Sequence, residues 1–525
     1  MRENNMKNTL KLLFPVLLSA FAAAGAQEYK FDFGDGPVAK GYIGITSKTK
    51  YSDALGYGIV QGNVSAVDRQ WDDELTTDFL TTSDELFFAV ALPQGNYEVT
   101  VIFGDGEQES ETTVKAENRR LIFDRVTTAG GVFIRRSATI RRMETKSTDG
   151  SVTMSIKDRE KDYPTWDNVL TLRFSGRAPA IAGVEIKKKD DATTLWLCGN
   201  STVVDQLTAP WSTWSQMIPH LFNSSVAVAN YAESGLTSGG FLSMKRLSKI
   251  LAEVKKGDYV FVEFGHNDQK NATDVTNYPA NLKSYADQIK GKGAIPIFVI
   301  PTARQGDNDP KTSIGGLAQV MRETAQKLGV TFIDINQMVI DLNKALGTNA
   351  KQLYMYTAND KTHFCEYGGY EVARCMMKGI AEKIPALKSG FAEDYITFNP
   401  AKPDPVNILT LTKSPITEGG LIQTSSSSTA PQLSSAAAYR SSSSAEATDI
   451  GAGTETKQGF WSVSQLNRHF EFFANGGNIK VYLFDLNGNL LIMHSLNVGE
   501  KWSAPVTRQR ITYKIAVRNQ KSLKE

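Results

Sequence analysis

The feature that most constrains this chain is an alternation that begins at Asp190. Short apolar runs of strand length recur at 195–198, 226–229, 259–264, 295–300 and 331–335. Amphipathic helical patterns lie between or after them, near 240–255, 278–291, 314–328 and 336–346, with a last one at 366–383. Apolar strands alternating with helices of this length predict βαβ units. The expected fold is a three-layer α/β domain over 190–390, a doubly wound parallel sheet covered on both faces, with the final helix beside the first strand. Open α/β sheets bind ligands outside the carboxyl ends of their strands. The residues that follow each apolar run therefore carry the functional information.

The first run, Leu195-Trp196-Leu197-Cys198, stops at Gly199, and a serine follows at Ser201. One reading makes Ser201 a nucleophile lifted off the sheet edge into a helix N-terminus, where free N–H groups can hold an anion. The other makes it only an N-cap. Three further stretches fall at the same edge: Asn230-Tyr231-Ala232-Glu233-Ser234-Gly235, Gly265-His266-Asn267-Asp268 and Asp360-Lys361-Thr362-His363. Alone, each has a plain reading: a turn glycine, a polar turn, a helix start with a surface histidine. Their occurrence in order along one sheet edge favours a joint one.

The chemistry that wants these types together is acyl transfer. A serine hydroxyl needs a base to accept its proton, and an imidazole supplies one near neutral pH. A carboxylate three residues before His363 can orient the ring and stabilise its charged form. The Ser201 N–H, the Gly235 N–H and the Asn267 amide are candidate donors to a tetrahedral oxyanion. Of the five histidines, two have an acid three positions upstream: His363 with Asp360, and His266 with Glu263. Glu263 falls inside the expected third strand, where side chains alternate faces. That favours His363 without excluding His266.

The rest of the chain frames this domain. Length alone suggests two to four domains. Basic residues, an apolar run over 12–23 and Ala24-Gly25-Ala26 read as a signal peptide over 1–26, with export of the mature protein. No later run is long and apolar enough to cross a bilayer. Residues 27–189 read as an all-β sandwich, with strands expected around 87–92, 97–103 and 152–156 and turn signals between them. Its aromatic residues suit a core, with a sugar-binding or lid role as the alternative. A linker over 391–456 is Ser-rich in its second half, and 457–525 returns to strand patterns near 479–484 and 511–517, a small β module. A net charge of +2 gives no reason to expect nucleic acid. Cys198, Cys365 and Cys375 are too few for a disulfide framework and read as buried small hydrophobes. No Cys/His spacing suggests a metal.

With the residues from Gly199 to Gln206, Asn230 to Gly235, Gly265 to Asp268 and Asp360 to Phe364 in view, the chain resembles the SGNH (GDSL-like) hydrolases. It is most similar to the bacterial rhamnogalacturonan acetylesterases of that family. Phe31-Asp32-Phe33-Gly34, Leu92 to Tyr97 and Thr165-Trp166-Asp167-Asn168 resemble the N-terminal, galactose-binding-like sandwich of such esterases. The resemblance implies a flavodoxin-like sheet, Ser201 as nucleophile, His363 as base and Asp360 as its orienting partner. It also implies an oxyanion hole from Ser201, Gly235 and Asn267, and neither metal nor cofactor. Two positions depart from the family pattern. Asn200 stands where an Asp is usual, which bears on local hydrogen bonding. Leu236-Thr237 follow Gly235 where Arg-Ser is frequent, so a substrate carboxylate would need another partner, such as Arg304 or Lys361. The expected function is a secreted esterase that removes acetyl groups from a plant cell-wall polysaccharide, rhamnogalacturonan first. The alternatives are a xylan acetylesterase, another SGNH esterase or lipase, and a non-catalytic glycan-binding protein.

Overall fold

A computed structural model describes residues 28–355 and 359–409, together with the backbone of seven strands between 455 and 518. The expected signal peptide and the Ser-rich stretch of the linker lie outside the described residues.

The five apolar runs form five parallel strands: β1 (Thr193–Cys198), β2 (Val226–Asn230), β3 (Tyr259–Val262), β4 (Ile295–Val299) and β5 (Thr331–Ile333). Their spatial order is β5-β4-β3-β1-β2, a doubly wound order whose switch point lies between β1 and β3. Alternate residues feed two cores. Leu195, Leu197, Val228, Phe261, Val299 and Ile333 pack with α4 (Ile335–Leu346) and α5 (Glu366–Lys383). Trp196, Cys198, Val260, Val262 and Phe298 pack with α1 (Arg246–Glu253), α2 (Ala272–Gly291) and α3 (Leu317–Leu328). Burying both faces explains why these strands read as unbroken apolar runs.

Several boundaries differ from expectation. β3 ends at Val262, so Glu263 and Phe264 lie past the strand. The 240–255 pattern is two helices, Ser238–Ser243 and Arg246–Glu253, because Lys245 adopts a left-handed φ of 57°. Residues 391–409 stay on the domain: the Ala392 N–H donates to the Leu221 carbonyl at 2.9 Å, and Phe398 is buried.

The N-terminal residues form two facing sheets around Phe31, Phe33, Phe88, Val101, Phe174 and Val184. Strands occupy Leu86–Ala91 and Gly95–Phe103. The 152–156 stretch is not a strand; it makes a single bridge, Thr153 to Lys146. Its Met154 is instead buried in the hydrophobic cluster of α1 and α2, and the Ser155 N–H donates to the Met244 carbonyl at 2.9 Å. The sheets of the two domains are also continuous. The strand Ile134–Arg142 pairs parallel to β2, Thr139 with Ala227 and Ile140 with Val228, inside one 12-stranded sheet. In the C-terminal segment, strands Asn478–Phe484 and Thr512–Arg518 pair antiparallel.

Candidate active site

The chain leaves β1 through Gly199, where a Cβ would lie 2.5 Å from Val203. A glycine is required for the fold-back. The next turn closes when the Val203 and Val204 N–H groups donate to the Asn200 carbonyl, at 3.0 and 2.9 Å. It stops there, because side chains take the carbonyls a helix would use. Asn230 Nδ2 donates to Val203 O at 2.7 Å, and Thr213 Oγ1 to Val204 O at 3.1 Å. The next helix starts only at Trp214, capped by Thr213. Ser201 is therefore neither an N-cap nor at a helix N-terminus; it sits on an isolated turn at the carboxyl end of β1, half-exposed.

His363 reaches it from the loop before α5. Ser201 Oγ and His363 Nε2 are 2.7 Å apart, and His363 Nδ1 lies 2.7 Å from Asp360 Oδ2. The other carboxylate oxygen accepts the Thr362 and His363 N–H groups at 2.8 and 3.0 Å. Burial alone would raise the Asp360 pKa, but the His363 ring and these two N–H groups outweigh it and hold the carboxyl below its usual range. With Nδ1–H directed at the carboxylate, Nε2 is left as an acceptor for the Ser201 hydroxyl. The loop is braced by the Trp211 and Ser212 pairing with Cys365 and Phe364, which sets the Trp211 indole edge-on to the imidazole at 5.7 Å.

The alternative base is not in this arrangement. His266 is buried, its Nε2 lies 2.9 Å from the Thr302 carbonyl, and its pKa falls to about 3, chiefly through burial. Glu263 does not pair with it, as its expected strand position implied. It accepts from Thr202 Oγ1 at 3.0 Å and Trp214 Nε1 at 2.7 Å, under the Ser201 turn, and burial lifts its pKa to about 7. Asn200 joins this network: its Oδ1 accepts the Thr202 N–H at 3.1 Å, while its Nδ2 is buried with no partner among the described residues.

The three candidate donors are placed at the same edge. Among the described residues neither the Ser201 nor the Gly235 N–H has an acceptor. Gly235 has a φ of +78°, which suits glycine. Asn267 Nδ2 spends one hydrogen on the Leu236 carbonyl at 3.0 Å, and its Oδ1 accepts from Lys270 Nζ at 2.9 Å. Arg304 lies against the histidine loop, its Nε donating to Thr362 Oγ1 at 3.0 Å, whereas Lys361 is exposed. Cys198 and Cys375 are buried; Cys365 is half-buried, its Sγ 3.0 Å from the Gln352 carbonyl. Among the described residues no group of three or more His, Cys, Asp or Glu could hold a metal ion, and no helix is long and apolar enough to cross a membrane.

Sequence reasoning missed the share of the N-terminal domain in this region. Arg120, the first residue of the strand Arg120–Thr128, donates from Nε to Asp205 Oδ2 at 2.6 Å, with both groups almost fully buried. Arg119 donates to the Gln206 and Trp211 carbonyls at 3.2 and 3.0 Å and pairs with Glu366. Lys157 and Arg159 reach the loop that carries Gly235. In the sequence these cations look like ordinary solvated turn residues, and only their distant partners reveal them.

The chain is similar to known proteins over both domains. The model of the GDSL-like lipase/acylhydrolase family matches residues 197–368. That of the beta-agarase/YXIM esterase-like, galactose-binding domain-like family matches 29–132. The chain is 31% identical to the rhamnogalacturonan acetylesterase RhgT of Bacillus subtilis over 207 residues, which are 36% of this chain and 89% of that protein. It is 26% identical to the uncharacterized esterase YxiM of the same organism over 67% of this chain and 90% of that one. The crystal structure of the YXIM protein of Bacillus subtilis covers 68% of this chain and 98% of its own at 24% identity, with a TM-score of 0.37. A sheet-edge serine joined to an imidazole and a carboxylate thus occurs within the span the family model matches, and the chain belongs to the GDSL-like lipase/acylhydrolase family of serine carboxylic-ester hydrolases.

Proposed function

We propose that the protein is an exported carbohydrate O-acetylesterase that acts on acetylated rhamnogalacturonan. The observation that carries this reading is the unbroken line from Ser201 Oγ to His363 Nε2 and from His363 Nδ1 to Asp360, each step 2.7 Å long. Ser201 Oγ bonds to the acetyl carbonyl carbon while its proton passes to His363 Nε2. The carbonyl oxygen becomes an oxyanion facing the Ser201 and Gly235 N–H groups and the second hydrogen of Asn267 Nδ2. As the ester C–O bond breaks, His363 returns the proton to the departing sugar oxygen. Water, deprotonated by the same imidazole, then attacks the acetyl-Ser201 carbonyl and releases acetate with the serine restored. Asp360, held ionised, keeps the ring in the needed tautomer throughout.

The substrate class rests on the relatives named as rhamnogalacturonan acetylesterases, and export rests on the leader-like residues 1–26. Arg304, whose Nε donates to Thr362 Oγ1 next to His363, is the cation assigned to a uronate carboxylate. The experiment is acetate release from a panel of acetylated polysaccharides. Release from rhamnogalacturonan well above that from xylan supports the reading. A preference for xylan transfers the assignment to that polymer, and binding without turnover on any member overturns the enzymatic reading.

A further inference from the structure

We propose that Lys157 and Arg159, contributed by the N-terminal domain, are positioning residues for the oxyanion hole, acting through the Ser234–Gly235 peptide unit. The inference rests on the reading of the Gly235 N–H as an oxyanion donor. In a planar trans peptide the carbonyl of one residue and the N–H of the next point in opposite directions. Whatever holds the Ser234 carbonyl therefore also aims the Gly235 N–H. Two cations hold it: Lys157 Nζ donates to Ser234 O at 2.5 Å, and Arg159 Nη2 donates to the same oxygen at 2.8 Å. Arg159 also pairs with Glu233, one residue back, through Nε at 2.8 Å.

The arrangement does more than fill space. Gly235 has no side chain to fix its backbone, and its positive φ lies where a glycine peptide can rotate at little cost. Charge-assisted donors on the carbonyl resist that rotation and polarise the unit, which strengthens the N–H at its far end. The cations are themselves anchored. The Lys157 N–H donates to Glu160 Oε2 at 2.8 Å, and Arg246 binds both Glu160 oxygens at 2.6 and 2.5 Å. Arg246 also donates to the Tyr231 carbonyl at 3.0 Å, so one buried pair pins both the Lys157 segment and the root of the loop that carries Gly235.

The test is steady-state hydrolysis of an aryl acetate, which needs no sugar recognition, by Lys157→Met, Arg159→Met and the double variant of the full chain. Losing one oxyanion donor costs about 10²–10³ in kcat, so the double variant is expected to lose about tenfold or more with KM within about twofold. Its affinity for a trifluoromethyl ketone, which forms a tetrahedral adduct, should weaken in step with kcat/KM. Lys157→Arg and Arg159→Lys, which keep the charges, should restore most of the rate. If the double variant fails to fold, Lys157→Met alone decides the matter, since it leaves the Arg159–Glu233 pair intact. An unchanged kcat, a rise in KM alone, or rescue variants as slow as the methionine ones would overturn the proposal. The parent reading fails separately, if Ser201→Ala stays active with both cations in place.

Discussion

Arg120→Met isolates one contact between the two domains. The substitution keeps most of the apolar stem and removes the guanidinium. Asp205 is then left 4% exposed, with Asn230 Nδ2 at 2.8 Å as its remaining side-chain donor, and the Arg141 carbonyl loses its donor at 3.0 Å. Removing one partner of a buried pair strands the other charge and costs about 3–5 kcal/mol. An exposed pair such as Lys283 with Asp287 is worth about 1 kcal/mol at most. The two magnitudes are far enough apart for urea unfolding to separate them. Followed by tryptophan fluorescence and by far-UV circular dichroism, Arg120→Met should lose about 3–5 kcal/mol and Lys283→Met about 1 kcal/mol or less. Because the sheet and this ion pair both cross the domain boundary, the two probes should move together. Arg120→Met/Asp205→Asn should recover part of the loss, since no charge is stranded. A single variant within about 1 kcal/mol of wild type would refute the claim that the domains are joined through this pair.

Asp360→Asn should keep the fold and lower kcat by roughly 10⁴-fold, because an amide favours the wrong imidazole tautomer; stopped-flow turnover near wild type would remove Asp360 from the site. Asn267→Ala should cost about 10²–10³ in kcat, and an unchanged rate would take its amide out of the oxyanion hole. Glu263, raised from the usual 4.5 to about 7, binds its proton more tightly in the folded protein. Its stabilising share is full below about pH 4.5 and is lost as pH rises through about 7, roughly 3 kcal/mol in all. The melting temperature of Glu263→Gln relative to wild type should therefore climb between about pH 5 and about pH 8; a pH-independent difference would contradict the buried carboxyl.

The parallel sheet was legible because strands buried on both faces write themselves as apolar runs, and the loop residues after β1, after β2 and before α5 stood out against them. What failed depended on partners far away in the chain. Glu263 looked like a strand residue, yet the strand stops one position earlier so that its carboxyl can meet Thr202 and Trp214. His266 and His363 each follow an acid by three positions, but only His363 reaches Ser201 and Asp360, whereas His266 is buried against Thr302. The strand Ile134–Arg142 carries four arginines, and nothing in it announces a parallel partner in another domain. The 152–156 run alternated like a strand, but its apolar side chains serve the α1–α2 core.

The most direct test is hydrolysis of an aryl acetate by Ser201→Ala, with the fold checked by circular dichroism. Loss of turnover by roughly 10³-fold or more in a folded variant is the expected result. Turnover at the wild-type rate would contradict the account, since Ser201 Oγ is the hydroxyl bonded to His363 Nε2 among the described residues.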